Sequence, residues 1–177
     1  MKKLMMATTL TLAVSASSPL MADVLSEGDN LVGATVGFGF TTLSNAATFG
    51  ATYERGLIDD IFPDFNFGAG AVGAYTNYSS GLNYSLSHTF IGAQANVHYD
   101  AGEGNVQPYG GLMLGYNNFS YSDDDISGAW GGGISTGGQV GARYFFSDDL
   151  AANLRWSSSF GGWGTYSQLH AGVDYRF

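Results

Sequence analysis

The chain has 177 residues and no cysteine, and it carries 12% charged and 15% aromatic side chains with 27 glycines. The charged share is about half that of an ordinary soluble domain. Six basic residues against fifteen acids give a net charge of −9, which argues against a nucleic-acid binder, and no run of roughly 20 apolar residues beyond the N-terminus offers a helical membrane span.

Residues 1–22 read as a secretory signal. Lys2 and Lys3 supply its positive start, and residues 4–14 form an apolar stretch too short to span a bilayer. Cleavage is expected after Ala22, with an alternative after Ala16. Removal leaves four arginines against fifteen acids, a balance of −11. Residues 23–30 are polar and acidic and are expected to form a periplasmic lead-in, with a small lumen plug as the lesser alternative.

The rest of the chain alternates with a period of two, the signature of strands with one apolar and one polar face. The pattern predicts eight strands, at 31–41, 46–54, 65–76, 88–99, 107–116, 132–146, 150–160 and 163–177. Residues 55–64 read as a turn of unusual length, and 117–131 as the longest loop. Each strand meets the roughly 9–11 residues a tilted membrane strand needs. The fold class expected is all-β, an eight-stranded antiparallel up-and-down transmembrane β-barrel over residues 31–177, whose closure removes the sheet edges that lipid would not tolerate.

Three features turn the apolar face outward. Aromatics gather at the ends of strands, as interfacial belts do. One belt comprises Tyr53, Tyr99, Tyr144, Tyr175 and Phe177, the other Phe40, Tyr116, Trp156 and Trp163. The opposite face is Gly, Thr, Ser, Asn and Gln with rare charges, a poor core for a soluble barrel. The middles of the apolar faces are small or aliphatic, as at Ala51, Ala93 and Val140. On the polar face, Arg143, Arg155 and Asp174 come from neighbouring strands. An unpaired buried charge is costly, so these three are expected to form a lumen charge network with Glu54 as a fourth member. Its role would be to fill and stiffen the barrel.

The chain closes on Gly172-Val173-Asp174-Tyr175-Arg176-Phe177. This ending resembles the C-terminal assembly signal of bacterial outer-membrane barrels, with Gly172, Tyr175 and Phe177 in the signal positions. Pro108–Tyr116 (PYGGLMLGY) and Gly137–Leu150 (GGQVGARYFFSDDL) resemble the fifth strand and the sixth-strand turn of the small barrels related to the OmpA transmembrane domain and OmpX. The resemblance covers the whole chain after the signal. It implies a multi-pass location in the bacterial outer membrane, contact with lipids and lipopolysaccharide, insertion by the barrel-assembly machinery, and a monomer. It carries no catalytic residues.

Other chemistry is weakly signalled. Gly68-x-Gly70-x-x-Gly73 fits a dinucleotide fingerprint by letter, but no helix follows it. His88 and His98 lie roughly 33 Å apart in an extended strand and cannot share a metal. A Ser–His–Asp set from His88 and Asp123–Asp125 is conceivable across loops. The same acids would hold a divalent cation, although a solvated charge run is the simpler reading. No cofactor, metal or catalysis is expected. The leading expectation is a structural or surface-interaction barrel, ahead of a narrow porin-like channel and a lipid A-modifying enzyme.

Overall fold

A computed structural model describes residues 24–39, 46–79, 85–100, 104–122, 127–162 and 166–177. The signal segment, Phe40, Asp123–Asp125 and Trp163 lie outside these. The described residues form eight strands: β1 Asn30–Gly39, β2 Ala47–Phe62, β3 Phe65–Ser79, β4 Ser85–Tyr99, β5 Val106–Ser122, β6 Ser127–Phe145, β7 Leu150–Gly162 and β8 Ser167–Arg176. Each pairs antiparallel with its neighbour in sequence, and β1 pairs with β8 to close the ring. The closing ladder runs from Leu31↔Arg176 to Gly39↔Gln168, so no strand is left with a free edge.

Alternation in the sequence becomes alternation in space. Ile134 is 71% and Leu112 65% exposed, and Phe38, Phe49, Leu114, Val140 and Leu154 are exposed with them. Inward neighbours on the same strands, such as Gln139, Arg143 and Asn153, are buried. The outer wall is a continuous apolar surface far larger than water tolerates on a monomer, and it matches the lipid-facing band of a membrane barrel.

Two segments differ from the sequence reading. Residues 55–64 do not form a long turn. β2 runs on through Phe62, and the turn is only Pro63 and Asp64. Two register shifts against β3, at Gly56/Ile58 and Ile58/Phe62, absorb the extra residues. A bulge breaks the period of two that sequence reading relies on. Likewise 117–131 is mostly not a loop. β5 and β6 remain paired out to Ser122↔Ser127. Once strands leave hydrocarbon both faces meet water, so the ladder continues while the alternation fades.

Leu114 lies mid-strand between Ala93 and Thr136 with its side chain outward. Leu114→Arg is expected to cost about 2–4 kcal/mol near the bilayer midplane, read from denaturant unfolding in lipid vesicles.

Candidate functional site in the packed lumen

Strand parity sends one polar side chain inward at every second residue, and the ring brings them together. Arg143 on β6 is the hub. Its Nε donates to Asp174 Oδ2 at 2.7 Å and its Nη2 to Glu54 Oε2 at 2.9 Å. Nη1 donates to His98 Nδ1 at 3.1 Å and to Gln107 Oε1 at 3.3 Å. The guanidinium carbon lies 4.3 Å from the Tyr109 ring centroid. Because Nδ1 of His98 accepts from Arg143, its Nε2 carries the proton and donates to Glu54 Oε1 at 2.7 Å. His98 is thus a neutral bridge. Asn96 Nδ2 also donates to Glu54 Oε1 at 3.0 Å, and Asn153 Nδ2 to Asp174 Oδ2 at 2.8 Å. Glu54, His98, Arg143 and Asp174 are almost wholly buried. β1 makes room for them with Gly33, where a Cβ would overlap the Asp174 carboxylate.

The expected network is therefore brought together at Glu54, Arg143 and Asp174, but not at Arg155. Among the described residues no carboxylate lies within 4.0 Å of Arg155, and its Nε has no hydrogen-bond partner. Arg155 sits on β7 beside His170 and Gly141, between the hub and the loop end of the lumen. Parity gives the facing direction of a residue, and its height along the tilted strand decides whom it meets. Two carboxylates and one guanidinium leave one formal negative charge at the hub. Parity alone also marked His98 as lumenal. Asn96, Tyr109 and Asn153 gave no signal beyond theirs.

Further inward side chains bond one another beyond the hub. Gln139 donates to Gln94 at 3.0 Å and to Asn96 at 2.7 Å, and Thr48 and Thr76 share a 2.7 Å hydrogen bond capped by Gln168. Val72, Phe90, Met113 and Tyr166 then pack into an apolar cluster. His88, placed by the sequence at the outer rim, is instead buried in the lumen. It bonds Asn117 at 2.9 Å and stacks on Phe119 with centroids 4.5 Å apart. A hydrolytic set built on it has no supporting contact here, and its acidic partners lie outside the described residues. Gly68, Gly70 and Gly73 lie within strand β3 with no helix after them, and at Gly68 a Cβ would crowd the Glu54 carboxylate. Among the described residues no group of three His, Cys, Asp or Glu side chains is placed to hold a metal.

Residues 24–30 lie against the end of the barrel where β1 starts and β8 stops. Val24 and Leu25 are buried at the barrel mouth. Asn66 Nδ2 donates to the Leu25 carbonyl at 3.1 Å, and the Glu27 N–H donates to Asp59 Oδ1 at 2.7 Å. Gly28 and Asp29 pair with Gly56 through backbone bonds of 3.0 Å. A Cβ on Gly56 would overlap the Ser26 carbonyl.

Tyr53, Tyr99, Tyr144, Tyr175 and Phe177 all face outward at this terminal end, and Tyr116 and Trp156 face outward in the other half. The Tyr175 and Phe177 rings stack at 6.1 Å. Gly172 packs against Thr35 of β1, where a larger residue would collide.

The fold has close counterparts among solved structures. The N-terminal β-barrel domain of Pseudomonas aeruginosa OprF superposes with a TM-score of 0.61 at 18% identity, covering 85% of this chain and 98% of that one. Neisserial surface protein A gives 0.61 at 18% identity, covering 84% and 96%. Yersinia pestis Ail, the attachment invasion locus protein, gives 0.57 at 16%, covering 85% and 99%. This is the fold of the small eight-stranded outer-membrane β-barrels. No family model matches the chain, and no curated protein matches it significantly.

Arg143→Met strands two buried carboxylates, so it is expected to cost about 3–5 kcal/mol of unfolding free energy. Arg155→Met, which breaks no ion pair, is expected to cost less in the same denaturant titration. Gly56→Ala should free the lead-in. Limited proteolysis would then clip it before residue 30, while the barrel keeps the heat-dependent gel migration of the wild type.

Proposed function

We propose that this chain is a closed, non-catalytic barrel of the bacterial outer membrane, with a structural role in envelope integrity or surface interaction. The observation that supports this reading is the stack of buried, mutually bonded side chains that the described inward residues form. The apolar cluster around Phe90 lies at mid-barrel, the Arg143 hub nearer the start of β1 and Leu25 at the mouth below it. Inward glycines, which favoured a narrow channel in the sequence, are largely taken up by neighbouring side chains such as Asp174 against Gly33 and Tyr109 against Gly141. In this reading the partners are outer-membrane phospholipid and lipopolysaccharide, and the Gly172–Phe177 strand addresses the chain to the barrel-assembly machinery.

Charge restricts what a surface partner would be. Ail has been crystallised with the heparin analogue sucrose octasulfate. A sulfated polymer needs clustered cations. The arginines of this chain stand at 55, 143, 155 and 176, and residues 40–45, 80–84, 117–131 and 161–168 contain no Lys or Arg. A partner at the loop end would therefore be neutral or cationic, in contrast to a sulfated one. For a barrel packed in this way, planar bilayers containing the refolded protein should show no stable single-channel steps. Reproducible steps from the wild type would replace this reading with the channel.

A further inference from the structure

The β2–β3 hairpin has two chemically different sides. In an antiparallel pair, directly opposed residues point to the same face of the sheet. Ile58 is opposite Phe67 and Phe62 is opposite Phe65. Phe65 and Phe67 share the outward parity of Ala69 and Ala71, so Ile58 and Phe62 also face outward. Leu57 continues the outward alternation of Tyr53 and Arg55. The first bulge thus aims two successive apolar residues, Leu57 and Ile58, at one side, as a bulge does when it doubles residues against a single partner. Leu57, Ile58, Ile61 and Phe62 are 42%, 46%, 38% and 64% exposed.

Between them the chain is tied to the barrel mouth, through the Asp59 side chain and the Asp60 backbone. Asp59 accepts from the backbone of Glu27, and the Asp60 N–H donates to Asn66, itself buried in the lumen. The apolar side is also continuous with the lipid-facing wall. Phe65, the partner of Phe62, packs on Tyr99 of the aromatic belt at 5.0 Å between centroids. The acids of the hairpin oppose its immersion in hydrocarbon, which fixes its depth at the headgroup–acyl boundary where amphipathic segments settle.

We propose that this bulged hairpin is an interfacial anchor. Leu57, Ile58 and Phe62 sit in the phospholipid leaflet at the terminal end of the barrel, while the opposite side of the same hairpin holds the lead-in across the mouth. The inference needs only the transmembrane fold and stands whether or not the lumen conducts.

The chain has no cysteine, so single nitroxide labels report each position separately. Ile58→Cys and Phe62→Cys would be labelled in the full mature chain, reconstituted in phosphatidylethanolamine–phosphatidylglycerol vesicles. Leu112→Cys is the lipid reference and Asp148→Cys the water reference. Collision with oxygen and with a water-soluble nickel chelate is then measured. The anchor predicts oxygen accessibility above nickel accessibility at 58 and 62, shifted toward the Leu112 value. Nickel accessibility matching Asp148 at either position, in a label that leaves the barrel folded, would overturn it and leave the patch for a protein partner.

Discussion

The structure depends on the ladder between the first and last strands. In hydrocarbon no water satisfies a backbone N–H or C=O, and each unmet group costs several kcal/mol. Pairing Leu31–Gly39 with Gln168–Arg176 removes the last free edge. Once the ring is closed, each strand has one face in lipid and one in a narrow interior. The apolar face is then satisfied by its surroundings, whereas the polar face has to satisfy itself.

That second demand explains the lumen. A guanidinium presents donors in a fixed fork, and Arg143 uses three nitrogens to reach strands β2, β4, β5 and β8. A lysine at this position would offer one point charge and lose most of these bonds. The carboxylates are in turn satisfied by amides, Asn96 for Glu54 and Asn153 for Asp174. Burying such a group is worthwhile only when its hydrogen bonds are met, since desolvation of each ion is expensive. The hub thereby ties strands far apart in sequence and stiffens a ring whose hydrogen bonds run only between neighbours.

Much of this was legible in the sequence because lipid imposes a strict period of two. Strand number, facing direction and the outward Tyr53, Tyr144 and Tyr175 follow from parity and from the apolar–aromatic pattern. Parity also selected Glu54, Arg143 and Asp174 as lumenal. It misjudged Arg155 because tilt and stagger, which set the height of a side chain, leave no trace in single-strand alternation. It missed the β2 extension because bulges at Gly56–Ile58 and Ile58–Phe62 shift the phase, and the Pro63-Asp64 pair drew the turn boundary too early. His88 was misplaced for another reason. Ser85, Ser87 and Asn117 read as loop, yet the strands carry on past the apolar band and set His88 against Phe119 and Tyr166.

The claim on which all of this stands is that β1 and β8 are interior members of a closed ring. Amide hydrogen exchange of the mature protein in lipid nanodiscs tests it directly, because a paired strand exchanges only by opening. The account predicts that the amides of 32–38 and 169–175 exchange as slowly as those of 110–116 and 134–140 in the β5–β6 pair. Fast exchange confined to alternate amides of β1 and β8 would reveal two open edges and contradict it.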